Sequence, residues 1–298
     1  MIRLSLTLFS ALAVMGAAQS STTPPKPPAG LDVPAIDKAV GRSGQVTGDV
    51  YRINFPRTDL TVTIEGVTIK PGLALGSWAA FKGKGSVAVV HGDLVLTEPE
   101  VNPVISALQQ HGFEITALHN HVINETPPVM YLHYWGEGPA ATLAQNVRDA
   151  LSRTKTPIAA PASPPPPAAS NDLPADQIQQ AIGLKGTVTN GVLALSQPRP
   201  ETIQMMGVTL PPVMGMATSI NFQSAGGGKV ATTGDFVMLA DEVNKVARAL
   251  RQSGISITAL HNHMLHGSPE LYFMHFWAVG DAGPIASGLK AALGELKK

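Results

Sequence analysis

The chain has 298 residues, 44% of them apolar and 14% charged, with 21 basic side chains balanced by 21 acidic ones. That length predicts two domains rather than one, and zero net charge argues against broad electrostatic binding to nucleic acid or an anionic membrane. Cysteine is absent, which excludes disulfides, thiolate metal sites, cysteine nucleophiles and a lipid anchor on an N-terminal Cys.

The first residues read as an export signal. Arg3 is the positive region, Leu4 to Met15 the apolar run, and Gly16-Ala17-Ala18 the small residues before cleavage. Residues 1–18 are therefore expected to be removed, leaving no transmembrane segment and a periplasmic or extracellular protein. Residues 19–34 and 154–174, with Pro24-Pro25 and Pro164 to Pro167, read as extended linkers, because proline removes backbone donors and favours polyproline II. They leave one domain at 35–153 and another at 175–298.

The two domains are copies of each other. At a constant offset of 142 positions, Gly92-Asp93 matches Gly234-Asp235, Glu100-Val101-Asn102 matches Glu242-Val243-Asn244, and Ile115 to His121 matches Ile257 to His263 without a substitution. Within a copy, a short helix is expected over 36–41 and strands over 45–55, 60–69 and 86–96. Val101, Val104, Ile105 and Leu108 then fall at helical spacing, behind a capping-box pair of Thr97 and Glu100. Strands at 113–121 and 129–135 and a closing helix at 139–152, or 283–297 in the second copy, complete the unit. The expected fold class is α+β: two tandem homologous domains, each a mainly antiparallel sheet covered by helices.

Residues two apart on a strand share a face, so His119 projects with His121, and His261 with His263. A hairpin brings His133, or His275, alongside. Three imidazoles from neighbouring strands can hold a divalent metal such as zinc and leave a position for water. Asp93 and Glu125 are the candidate catalytic carboxylates, although Asp93 after Gly92 also reads as a turn residue, and Gly267 stands where Glu125 would recur. Glu100 and Glu242 read as first-turn helix residues, and Trp135 and Trp277 as core. His91, His111 and His266 have no counterpart in the other copy. The methionines of the second copy, Met205, Met206, Met214, Met216, Met264 and Met274, fit core filling better than copper handling.

The series G-D-[LF]-V, E-V-N, A-L-H-N-H, a proline loop and H-[YF]-W resembles the LppY/LpqO family of exported bacterial proteins, which carry a domain of unknown function. Ser77-Trp78-Ala79-Ala80-Phe81 is similar to a further segment of that family. The resemblance implies export and supplies no activity. Two functions remain from the residues: metal or small-ligand binding, with metal-activated hydrolysis if the protein is an enzyme, or a non-enzymatic envelope module whose histidines form a buried hydrogen-bond network while the paired domains present a protein-binding surface.

Overall fold

The computed structural model describes residues 27–159 and 172–297. The expected signal segment lies outside the described residues, as do 19–26 and 160–171 of the two proline-rich segments. Among the described residues no helix is long and apolar enough to cross a membrane.

The first repeat opens with α1 (Val33–Val40), whose N-terminus is capped by Asp32 accepting from the Ala35 N–H at 3.1 Å. It continues through β1 (Gln45–Thr47), β2 (Val50–Pro56), β3 (Thr63–Ile64), β4 (Val67–Thr68), α2 (Pro71–Ala74), β5 (Gly76–Lys84), β6 (Val87–Thr97) and α3 (Glu98–Gln110). Then come β7 (Glu114–His119), β8 (Glu125–Thr126), β9 (Val129–Gly138) and α4 (Ala140–Leu151). Six strands form an antiparallel sheet in the order β1-β2-β5-β6-β9-β7, while β4-β3-β8 makes a small second sheet.

The second repeat follows the same course: α5 (Ala175–Ile182), β10 (Gly186–Thr189), β11 (Val192–Pro198), β12 (Gln204–Met205), β13 (Val208–Thr209) and β14 (Ala217–Gly226). It closes with β15 (Lys229–Met238), α6 (Ala240–Gln252), β16 (Ser256–His261), β17 (Gly267–Ser268), β18 (Tyr272–Gly280) and α7 (Ala282–Leu293). Its large sheet, β10-β11-β14-β15-β18-β16, repeats the first strand for strand. The chain is thus two tandem α+β domains, as the periodicity predicts.

Three local readings change. The expected strand at 45–55 is a hairpin turning at Gly48, and the one at 60–69 is two very short strands around Glu65-Gly66, both with positive φ. Strand β5 carries no clean alternation because both its faces are covered, five consecutive residues from Ser77 to Phe81 being buried. Asp93 is not a turn residue. It lies inside β6, and Gly92 is there because a Cβ would stand 2.3 Å from the Tyr134 hydroxyl and 2.6 Å from the Trp78 carbonyl.

One face of each large sheet is covered by its own helices. In the first repeat Leu94, Leu132 and Tyr134 pack with Val104, Leu108 and Val147, and in the second Phe236 and Phe276 pack with Val246 and Leu289. Each fully buried aliphatic or aromatic side chain contributes about 1.5–3 kcal/mol before entropy is counted. The opposite faces meet each other. Trp78, Val89 and Trp135 of the first repeat share a core with Met205, Met214, Met216, Met264 and Phe273 of the second. Most of the second repeat's methionines are therefore flexible filler against two indoles. A matching core joins Ile64, Leu73 and Tyr131 to Val192 and Trp277. Polar contacts seal the seam: Gln223 donates to the Thr68 carbonyl at 2.9 Å and accepts from the Lys70 N–H at 2.7 Å, and Asn221 donates to the Leu73 carbonyl at 3.0 Å.

The repeated glutamates fasten each domain. Glu100 accepts from the Thr97 N–H at 2.9 Å, from Arg57 at 2.8 Å and from the Lys155 N–H at 3.0 Å. Glu242 does the same with Leu239, Arg199 and Lys297 at 2.7, 2.7 and 2.8 Å. These donors hold both carboxyls below their usual range against burial, which pushes the other way. The helix-start reading of Glu100 and Glu242 is right, and each also ties the chain after the last helix to the first turn of α3 or α6.

Candidate metal centre

Strand pairing delivers the histidines. In β9, His133 lies opposite Ala117 of β7 and opposite Asp93 of β6; in β18, His275 lies opposite Ala259 of β16 and Asp235 of β15. A bulge between Ile115 and Ala117, repeated between Ile257 and Ala259, shifts the edge strand so that His119 and His133 share the face turned toward the other repeat. His121 and His263 lie just past the strand ends, with ring centroids 5.2 and 4.9 Å from His119 and His261.

The six imidazoles of both repeats form one cluster. His119 and His261, which are equivalent under the repeat, stack at 3.5 Å. His121 stacks on His275 and His133 on His263, both at 3.9 Å. These last two pairs exchange when 142 is added to the first-repeat number or subtracted from the second, so the cluster straddles an internal twofold axis. The tightest donor set is His119, His261, His263 and His275, whose ligand atoms all lie within 4.8 Å of one another. The sequence offers a three-histidine set in one or both repeats; the structure gathers both sets into one cluster, in which His119 joins the second repeat's triad. Nothing in a periodicity reports how two domains pack, so the merger was invisible there.

Hydrogen bonds set the tautomers. Nδ1 of His119 donates to the Asn120 carbonyl at 3.1 Å, Nδ1 of His261 to the Asn262 carbonyl at 3.4 Å, and Nδ1 of His275 to the Gly234 carbonyl at 2.8 Å. In all three rings Nε2 is left as a lone pair, buried and without a partner. Both nitrogens of His133 and of His263 are likewise unpartnered. Burial, followed by the neighbouring imidazoles, depresses His119 to about 3, and burial depresses His261 to about 4. His121, His133, His263 and His275 fall well below their ordinary value for the same reasons. The cluster is neutral at pH 7, the protonation state a metal requires.

Two carboxyls reach it from the central strands. Asp235 approaches His263 at 3.6 Å and His275 at 3.9 Å, and Asp93 approaches His133 at 3.9 Å. Each has a buried, unpartnered Oδ1. Burial raises Asp93 to about 8 against the pull of Arg52, and raises Asp235 well above the carboxylate range, with Asp93 adding to it. Glu125 sits in β8 with one oxygen accepting from the Val129 N–H at 3.0 Å and the other buried without a partner. Burial brings its carboxyl up to about 7. Its charge and that of Asp93 are both felt by Tyr131, the ring stacked on His121.

His91 belongs here although it has no counterpart in the second repeat. It is fully buried, its ring lies 5.7 Å from His133 and 5.5 Å from Trp78, and its Nε2 has no partner. Its position two residues before Asp93 in an alternating strand is the signal that places it. Trp135 and Trp277 are core residues, 3% and 4% exposed. His111 is remote, paired with Asp149 at 3.1 Å. His266 lines a pocket of ≈ 280 Å³ with Asn262, Met264, Gly267, Glu270 and Leu271, against the loop that carries His263.

A family described as Domain of Unknown Function (DUF1259) matches residues 34–153 and again 176–295. No curated protein matches the chain. Among solved structures, a trimeric bacterial microcompartment shell protein, PduB, is similar at 10% identity and TM-score 0.21, over 85% of this chain and 89% of that one. EtuB from Clostridium kluyveri is similar at 10% identity and TM-score 0.19, over 85% and 88%. Likeness that slight carries no argument about this chain.

Proposed function

Since the chain belongs in both of its repeats to that family of unknown function, we propose from the site alone that it is a metal-binding protein, its ion held between the repeats by His119, His261, His263 and His275. The observation that carries this reading is the set of three Nε2 lone pairs, each on a ring whose Nδ1 is committed to a backbone carbonyl. Backbone carbonyls commonly orient metal-ligating histidines in this way. Zinc bound at about 2.1 Å would place tetrahedral ligand nitrogens about 3.4 Å apart, so donors already within 4.8 Å of one another need only small side-chain rotations. All-imidazole and carboxylate donors suit zinc and the other late divalent metals.

A hydrogen-bonded histidine network, the structural alternative, is less favoured. Its imidazole–carboxyl approaches are 3.6–3.9 Å, too long for hydrogen bonds, and so many buried nitrogens without partners are unusual in a packed protein.

The chemistry we propose is hydrolysis. A divalent ion bound there would supply an acidified water; Asp235 lies beside His263 and His275, and Glu125, brought up to about 7 by burial, is the carboxyl that would take the proton. Asp93 supports His133 from the adjacent strand. The substrate would be a small molecule reaching the cluster from the His266 pocket. We further propose that the protein is exported after loss of residues 1–18 and belongs with LppY/LpqO-type proteins.

The test is metal content of the purified chain after zinc loading and dialysis, measured by plasma mass spectrometry alongside a His261→Ala/His263→Ala variant. Bound zinc is expected in the first and lost in the second; a chain that retains no zinc, copper, cobalt or manganese refutes the reading. N-terminal sequencing of the exported form should begin at Gln19.

A further inference from the structure

We infer that the cluster is built for two metal ions, one on each side of the internal twofold axis, the second held by the first repeat's own His119, His121 and His133 with Asp93. This rests on the one-ion reading above and extends it.

Donor counting comes first. A single ion on His119, His261, His263 and His275 satisfies four imidazoles and leaves a coherent remainder. His133 keeps both ring nitrogens unpartnered at 1% exposure, and Asp93 keeps an unpartnered Oδ1. Buried polar groups left without partners are rare in packed proteins, and these are not scattered. His133 lies within 3.9 Å of Asp93, and its ring is 5.2 Å from His119, which in turn is 5.2 Å from His121. The remainder is itself a ligand set.

Symmetry comes second. Adding 142 to His119, His121, His133 and Asp93 gives His261, His263, His275 and Asp235, and the stacking distances obey the same exchange. The first repeat therefore carries the same four residue types as the second, in less tightly gathered form, since the donors within 4.8 Å of one another are those of the second repeat with His119. With both present, His119 returns to its own triad, and each ion has three imidazoles and one carboxylate from a single repeat. Two ions so held would face each other across the stacked His119 and His261 rings, whose centroids are 3.5 Å apart.

Charge breaks the tie between the halves. Arg52 is buried beside Asp93, its guanidinium 4.1 Å over the Trp78 ring and donating to the Val213 carbonyl at 2.6 Å. Its counterpart in the second repeat is Ala194. A cation near Asp93 opposes a second cation there, so the His261, His263, His275 and Asp235 half should fill first.

The experiment uses the intact chain and copper(II) as the probe. Equilibrium loading followed by metal analysis should give two ions per chain, in two steps of unequal affinity. Electron paramagnetic resonance of the unmutated, fully loaded protein should show the dipolar broadening and half-field signal of a coupled pair. An Asp93→Asn/His133→Ala variant should bind one ion and lose the coupling, whereas Asp235→Asn/His275→Ala should lose the tighter step. One ion per chain at saturation overturns the two-ion assignment and leaves the one-ion reading standing; no ion overturns both. Two ions with uncoupled spectra, or a second ion that survives in the Asp93/His133 variant, also overturns it, because the second site then lies elsewhere. The spectrum of the unmutated protein needs no variant to fold.

Discussion

Metal removal should destabilise the chain by an amount the cluster itself sets. Without an ion, Nε2 of His119, His261 and His275 and both nitrogens of His263 are buried without partners. At about 1–3 kcal/mol per unsatisfied group, the four ligand nitrogens alone leave a gross penalty of roughly 4–12 kcal/mol that coordination removes. What appears in a melting curve is the linkage term, about 2.7 kcal/mol at a free-ion concentration one hundred times Kd. For a chain of this size each kcal/mol moves Tm by about 2–4 °C, so zinc at that excess should raise Tm by roughly 5–10 °C over the chelated protein. Differential scanning calorimetry with EDTA and with graded zinc measures it. The His261→Ala/His263→Ala variant should show no zinc-dependent rise. A Tm that stays within a degree across the titration would show that the orphaned nitrogens are satisfied by something other than a metal, and the reasoning would fail.

Other predictions concern the frame and the base. Arg199→Ala should cost about 3–5 kcal/mol, because it strands the carboxylate of Glu242, whose side chain is 1% exposed; denaturant titration measures it, and Arg199→Met with Glu242→Leu should recover much of the loss. Gly234→Ala should destabilise more than Gly92→Ala in thermal scans, since its Cβ would meet the Ser219 backbone oxygen at 2.0 Å, whereas at Gly92 the nearest atom is the movable Tyr134 hydroxyl at 2.3 Å. The metal-free chain should lose stability as pH falls below about 6.5, because unfolded histidines then bind protons that the buried ones refuse, each adding a slope of up to about 1.4 kcal/mol per pH unit. Asp93, raised to about 8, and Glu125 and Asp235, also raised, work in the opposite sense above about pH 4, but seven depressed imidazoles, His91 included, outweigh three raised carboxyls, so the guanidinium midpoint should fall from pH 7 to pH 5. Glu125→Gln should leave metal content unchanged and slow hydrolysis of an activated ester by about 10²–10⁴-fold, with loss of the limb near pH 7.

The elements that were legible in the sequence are those whose two faces meet different surroundings. Helix α3 shows its apolar stripe because one side packs on the sheet and the other on water, with Val104 and Leu108 fully buried. Strand β6 is expected from alternation over 86–96, yet Asp93 within it reads as a turn residue because Gly-Asp usually is one. The glycine is explained by the Tyr134 hydroxyl and the Trp78 carbonyl, which leave no room for a Cβ. Strand β5 escaped because burial on both faces erases alternation. At the site, the HxH pairs and the third histidines were visible as a repeat, since period-two spacing and the offset are both properties of one chain. Their convergence into one cluster depends on sheet faces meeting across the seam, as when Asn120 donates to the Thr258 carbonyl at 3.0 Å. The Arg57–Glu100 clamp and its Arg199–Glu242 copy also carry the 142 offset and could have been found by it.

The contrast between a symmetric donor set and asymmetric surroundings bears on mechanism. The ligand histidines and their two aspartates occur in both repeats, and the ring pairs obey the twofold exchange. The groups around them do not. Asn120 bridges to Thr258, whereas Asn262 turns to the Leu271 carbonyl in its own repeat, and the hydroxyl of Thr116, the counterpart of Thr258, is left buried without a partner. Glu125, His91, Arg52 and Trp78 flank the first-repeat half and face Gly267, Thr233, Ala194 and Ser219 as counterparts. Ion binding needs only the symmetric part and would survive exchange of these neighbours. On the hydrolytic reading proposed above, proton transfer would fall to Glu125, a buried carboxyl outside the ligand sets that burial brings up to about 7. The two halves would therefore divide the work, the second repeat holding the ion more firmly and the first supplying the base. The duplication keeps both halves in one chain, so His119 and His261 stack at the seam without a second molecule.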